Sequence, residues 1–102
     1  MQIKKKNNKA VVTPAGRIDI TNSQDLKKEL LDIYDEGYEQ IVIDFGNITS
    51  IDSSGLGKLL LFHKKLKERD GKLRIVNVES DYVKKMFSMI HLNKVIDIEG
   101  LS

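Results

Sequence analysis

The alternation of apolar and polar positions sorts the chain into short strands and amphipathic helices. Residues 3–6 and 10–13 flank the polar pair Asn7-Asn8, the pattern of an opening β-hairpin. Pro14 and Gly16 then end or bend the second strand, which places it at a sheet edge. Leu26, Leu30, Ile33 and Tyr34 fall at i, i+4, i+7 and i+8, one face of a helix. Asn22 or Ser23 can cap its start, Asp25 sits in the first turn where the macrodipole favours an acid, and Gly37 suits its C-cap. Residues 40–45 (Gln-Ile-Val-Ile-Asp-Phe) have the apolar centre of a strand covered on both faces, and residues 46–52 read as a polar loop.

A second helix is expected over residues 53–69. Leu56, Leu59, Leu60, His63 and Leu66 form its buried stripe, while Lys64, Lys65, Lys67 and Glu68 face water and Asp70-Gly71 stops it. Residues 73–78 read as a strand. Ser80 caps a third helix marked by Val83, Met86, Phe87 and Ile90, and residues 95–98 form a last short strand. The order β-β-α-β-α-β-α-β predicts one α/β domain over residues 1–102. Its sheet is mixed and mostly parallel, with an antiparallel N-terminal hairpin, and helices pack against it.

Composition narrows the chemistry. At 102 residues, the chain can bury roughly two-thirds of its unfolded surface and needs no covalent staple. It has no Cys, which removes disulfides, thiolate nucleophiles, Cys-ligated zinc and iron–sulfur clusters. The two His residues are too few for a His-rich metal site, and no cofactor is expected. Seventeen basic residues stand against fifteen acidic ones, for a net charge of +2. That near balance, with no aromatic residues interleaved among the lysines, argues against a nucleic-acid surface. The N-terminal Met-Gln-Ile-Lys-Lys-Lys has no apolar stretch behind it, and the longest aliphatic or aromatic run is Leu59 to Phe62. A cytoplasmic protein with neither signal peptide nor membrane span is expected.

In open α/β sheets, ligands and partners gather beyond the carboxyl ends of strands. Asp19, Asp44 and Asp52 fall at such positions, and Asp52 opens the stretch Asp52-Ser53-Ser54-Gly55-Leu56-Gly57. This stretch can be read as a helix cap followed by two glycines that let the helix pack close to the sheet. Alternatively, two glycines in the first turns, each costing about 1 kcal/mol against Ala, mark a backbone that something approaches closely. Known chemical motifs fail on spacing. A P-loop would need Ser or Thr after Gly57-Lys58, where Leu59 stands, and a nucleophile elbow would need Gly two residues before the serine. His63 lies about 15 Å along the helix axis from Ser53, too far to serve it as a base. His91 falls in a loop. A receiver-type phospho-acceptor at Asp44 would need an acidic pair on the early strand, which supplies only Asp19.

Taken in order, these segments resemble the STAS domain of bacterial anti-sigma factor antagonists. Gly16-Arg17-Ile18-Asp19 is similar to the family's Gly-x-Leu-Asp, although Arg17 stands where an acidic or polar residue is common. Ile41-Val42-Ile43-Asp44 followed by Asp52 to Gly57 is similar to its apolar strand and Asp-Ser-Ser/Thr-Gly-Leu-Gly motif. Arg74 to Val78, Ser80, Val83-Lys84-Lys85-Met86-Phe87 and Leu92-x-Lys94-x-Ile96 continue the likeness over nearly the whole chain.

The resemblance implies a binding protein rather than an enzyme. Its partner would be an anti-sigma factor that is also a serine kinase. Binding would free the sigma factor, phosphorylation of the first motif serine, Ser53, would end binding, and a serine phosphatase would reset the switch. Neither nucleic acid nor membrane would be a direct partner. The expected partner surface comprises Asp19, Thr21, Asn22, Asp52, Ser53, Ser54 and Gly55. The alternative within the same fold is a STAS scaffold or accessory module of a sensor complex or transporter.

Overall fold

The computed structural model describes residues 1–101. Strands β1 (Gln2–Lys6) and β2 (Lys9–Thr13) form the expected antiparallel hairpin, with Lys6 opposite Lys9. Asn7 turns the chain with a φ of 56°, a left-handed conformation that asparagine tolerates better than most residues. Beyond the hairpin come β3 (Ala15–Ile18), α1 (Ser23–Asp35), β4 (Gln40–Asp44), β5 (Asn47–Ile51), α2 (Ser53–Lys67), β6 (Lys72–Val76), α3 (Asp81–Met89), a 3₁₀ turn at Leu92–Lys94 and β7 (Asp97–Ile98).

The main sheet has the order β1-β2-β4-β6-β7 and is parallel apart from the hairpin. Thus β2 is an interior strand, not the edge strand that Pro14 suggested. Pro14 is buried and lies between β2 and β3, where the chain leaves the main sheet for a second, two-stranded one. That second sheet pairs β3 with β5 in parallel. Residues 47–51, expected as loop, are therefore a strand. The cause is legible in the register: Gly16 pairs with Ile48 but Arg17 with Ser50, so Thr49 is an extra residue. The bulge lets Ile48 and Ile51, three apart in sequence, both be buried.

One apolar core joins the inward side chains of the main sheet (Ala10, Val12, Ile41, Ile43, Leu73 and Ile75) to Leu26, Leu30 and Ile33 of α1 and to Leu59, Phe62 and Leu66 of α2. The buried face of α2 is rotated from the expected stripe. Gly55, Leu59, Phe62 and Leu66 point inward at a regular helical spacing, whereas Leu60 is 39% exposed. The run Leu-Leu-Leu-Phe offers two apolar stripes, and the one beginning at a glycine is used. Ser80 caps α3 as expected, its hydroxyl accepting the Val83 N–H at 3.3 Å. Ile90 falls just past that helix and is half-exposed, and the expected strand over 95–98 shortens to Asp97–Ile98 because residues 92–94 turn as a 3₁₀ helix.

His63 sits at the border of the core. Its Nδ1 is buried without a hydrogen-bond partner among the described residues. Burial, followed by the nearby Lys67 charge, pushes its pKa below the ordinary histidine value. The unfolded chain therefore takes up this proton at a higher pH than the folded one, and stability falls as pH drops through the ordinary value of about 6.5 and below. Melting curves between about pH 7.5 and 5.5 should show a larger loss of Tm for the wild type than for His63→Leu. Equal losses would show that His63 is not a source of acid sensitivity.

Candidate functional site

The β3–β5 pair sets out the candidate site. Ile18 and Ile51 are register partners at the carboxyl ends of the two strands, and the Asp52 N–H donates to the Ile18 carbonyl at 3.0 Å. Asp19 and Asp52 thus leave the sheet side by side, separated by about one strand spacing, 4.8 Å. Asp52 caps α2: its Oδ1 accepts the Gly55 N–H at 3.1 Å. The N–H groups of Ser53 and Ser54, at the open end of the helix, have no intrahelical acceptor. Ser53 is exposed and Ser54 half-buried.

The neighbouring wall is a tight loop after β3. Asp19 Oδ1 accepts from the Thr21 hydroxyl and, at 2.9 Å, from the Thr21 N–H. These two bonds, helped by Arg17, hold the Asp19 carboxyl below its usual pKa. Asn22 precedes α1 but does not cap it with its side chain. Its amide folds back instead, with Oδ1 accepting the Asp19 N–H at 2.9 Å and Nδ2 donating to the Arg17 carbonyl at 2.6 Å. Asn22 therefore braces the loop, and Thr21, exposed at its tip, meets solvent.

Two sequence-predicted residues lie elsewhere. Asp44 ends β4 in the main sheet, where Oδ1 accepts the Gly46 N–H at 2.8 Å and Oδ2 accepts from Asn77 Nδ2 at 3.1 Å. Its carboxylate braces the β4 and β6 ends rather than joining Asp19 and Asp52. Gly55, expected on the partner surface, is buried and faces the core. A methyl group added there would lie 2.6 Å from Ile18 Cγ2 and 2.8 Å from Ile51 Cγ1. Gly55 is thus a close-packing residue, and only Gly57 meets the expectation of an open approach. Gly57 is exposed, with nothing within 4 Å of an added methyl group, and at i+4 it lies on the same helix face as Ser53.

The STAS domain model matches residues 1–100. The chain belongs to the STAS domain family. The anti-sigma-B factor antagonist of Bacillus subtilis is 28% identical to this STAS domain over 102 residues, which span all of this chain and 92% of that protein. The fold matches that of the Bacillus cell fate determinant SpoIIAA, an anti-sigma factor antagonist solved in two forms. The unphosphorylated form superposes with a TM-score of 0.74 at 18% identity, covering 99% of this chain and 88% of that one. The phosphorylated form gives 0.73 at 20% identity, covering 95% and 88%. No helix among the described residues is long and apolar enough to cross a membrane.

The two motif glycines of this STAS domain should respond to alanine in opposite ways. Gly55→Ala forces a methyl group against the Ile18 and Ile51 side chains and should cost about 1–3 kcal/mol. Gly57→Ala meets open space and should gain up to about 1 kcal/mol from helix propensity. Urea melts of both variants check the pair, and a stable Gly55→Ala protein would refute the close-packing role.

Proposed function

We propose that this STAS domain is an anti-sigma factor antagonist whose binding is switched by phosphorylation of Ser53. The unphosphorylated form binds an anti-sigma factor that is also a serine kinase, and a serine phosphatase restores it after modification. One observation carries the reading: Ser53 is the exposed first residue of α2, with a bare glycine one turn below it and the Asp19–Thr21 loop beside it. A kinase that must bring a nucleotide to this hydroxyl meets no side chain from Gly57. The sequence relative named as an anti-sigma-B factor antagonist supports the same reading.

The chemistry of the helix start supports a switch that leaves the fold in place. Phosphate at Ser53 would meet free N–H groups and the positive end of the α2 dipole. It would add about 1.5 to 2 negative charges beside the carboxylates of Asp19 and Asp52. A partner carboxylate about 4 Å from one such charge would be repelled by about 4 kcal/mol at an effective dielectric near 20. That is on the order of a thousandfold in affinity. The fold of this chain matches SpoIIAA in both its unphosphorylated and its phosphorylated form.

Incubation with the cognate anti-sigma kinase and ATP, followed by mass-spectrometric mapping, should place the phosphate on Ser53. Ser54→Ala should still be modified, whereas Ser53→Ala should not, and it should remain folded with the loss of at most about 1 kcal/mol. Modification of Ser53→Ala at the wild-type rate would remove Ser53 from the mechanism.

The interface itself is tested by placing bulk at the open glycine rather than at the buried one. Gly57→Arg should abolish anti-sigma factor binding while shifting Tm by no more than a few degrees, since exposed substitutions usually stay within about 0.5 kcal/mol. The double variant Lys64→Glu, Lys67→Glu, on the same outward face of α2 but about 16–21 Å further along its axis than Ser53, should bind almost normally in the same titration. The reverse pattern would move the interface to the C-terminal end of α2.

A further inference from the structure

A groove separate from the Ser53 edge runs between α1 and α2. Lys27 and Leu31 line it from α1, and Lys58, Leu61, Phe62 and Lys65 line it from α2, enclosing about 230 Å³. Its floor is apolar: Phe62 is buried, and Leu61, 50% exposed, lies open to solvent. Its rim carries three ammonium groups and no carboxylate.

Three basic residues form ion pairs among the described residues. Lys5 pairs with Glu36, Lys72 with Asp97, and Arg74 with Asp97 and Glu99. Lys27, Lys58 and Lys65 form no ion pair among the described residues. In a chain whose net charge is only +2, three unpaired cations around one apolar depression are a local concentration of positive potential.

The groove is also rigid. The Tyr34 ring meets Phe62 edge-on at 6.3 Å. Arg69 stacks on Tyr34 with its guanidinium carbon 3.4 Å from the ring centroid, and donates to the carbonyls of Tyr34 and Tyr38. Lys65 Nζ lies 5.3 Å from the same ring centre, a cation–π distance that holds it at the rim. A preformed wall lowers the ordering cost of binding.

We infer that the α1–α2 groove is a docking site for an acidic amphipathic helix of a protein partner, which seats one large apolar side chain on Leu31, Leu61 and Phe62 and sets carboxylates against Lys58 and Lys65. Size and charge select this occupant. The depression lies below the range of about 300–1,000 Å³ typical of small-molecule pockets, and Leu61 in its lining is open to solvent, which suits one anchor side chain better than an enclosed ligand. Lys58 and Lys65 are two helical turns apart, about 10.5 Å. Carboxylates spaced by seven residues on a helix, with the apolar anchor between them, match that separation and stay on one face. The inference does not rest on Ser53 being a phospho-acceptor.

The test is an NMR titration of the full isotope-labelled chain with a synthetic, end-capped, alanine-rich helical peptide of about fifteen residues. The peptide carries one Leu, with a Glu three residues before it and another four after. Saturable shifts centred on Leu31, Lys58, Leu61 and Lys65 are expected. Lys58→Glu combined with Lys65→Glu should weaken binding by about tenfold or more, because attraction becomes repulsion at the rim. Lys4→Glu combined with Lys6→Glu, an equal change of charge on the exposed hairpin, should change it by less than about twofold. Replacing the peptide's Leu with Ser should also weaken binding by about tenfold, since the anchor is lost. Equal weakening by the two double variants, or indifference to the Leu→Ser change, would reduce the effect to nonspecific charge attraction and overturn the site. Shifts that fail to saturate would overturn it too, as would groove-dependent binding to phosphatidylglycerol vesicles but not to the peptide. No kinase takes part, so failure here leaves the Ser53 reading standing, and failure of Ser53 labelling leaves this one.

Discussion

The contact between Gly55 and the paired isoleucines Ile18 and Ile51 governs the arrangement of the site. Those side chains fill the space where a Cβ would project from the first turn of α2. A helix that starts this close to a strand pair has little freedom to slide or rotate, because side chains in cores interdigitate at near-crystalline density. The contact therefore fixes where α2 begins and which side of it faces outward. With Gly55 turned inward, Ser53 and Gly57 share the outward face, and Leu59, Phe62 and Leu66 follow Gly55 into the core. The hydrogen bond from Asp52 to Ile18 completes the link between the helix start and β3.

Seen this way, the two readings of the Asp52–Gly57 motif divide between its glycines. Gly55 meets the packing reading and Gly57 the open-approach reading. The residue types alone could not assign the roles, because a glycine needed for close packing and a glycine needed for access look alike in one sequence. Position on the helix separates them: Gly55 stands four residues before Leu59 on the buried face, and Gly57 stands four residues after Ser53 on the open one. Had the buried stripe been traced back from Leu66 through Phe62 and Leu59, it would have passed through Gly55. The expected stripe of Leu56, Leu59, Leu60, His63 and Leu66 omits Phe62 and leaves Gly55 on the apparent surface.

Most of the main sheet was legible because its strands follow strong rules. Asn7-Asn8 marks a two-residue turn, the run Ile41-Val42-Ile43 suits a strand between two neighbours, and the helices between strands enforce parallel crossovers. The second sheet was not legible, and its strands break those rules. β3 contains Gly16 and follows Pro14, so it reads as a strand end. β5 spaces its buried isoleucines by three because of the bulge at Thr49, so no period of two survives. The consequence for the site is specific. Asp19 and Asp52 could each be placed beyond a strand, but only the β3–β5 pairing makes them neighbours. Asp44 looked equivalent to them in sequence and differs because its strand belongs to the other sheet.

The same geometry separates the molecule's charges into two regions along α2. Its start carries acids, Asp52 on the helix and Asp19 alongside, while the groove beginning one turn later carries Lys58, Lys65 and, from α1, Lys27. Opposite potentials this close can orient a partner as well as attract it, since like charges brought together in a wrong alignment are penalised. A partner helix laid in the groove with its acids on the lysines would meet the Asp19–Asp52 edge at one end only. That edge would favour a cationic or neutral end and repel an acidic one. On the reading that Ser53 is phosphorylated, modification would deepen the negative end without touching the lysines. It would then act on how a partner is aligned as much as on whether the partner is attracted. The fold makes such a division possible because Gly55 holds Ser53 at the outer rim while the lysines lie on the side turned toward α1.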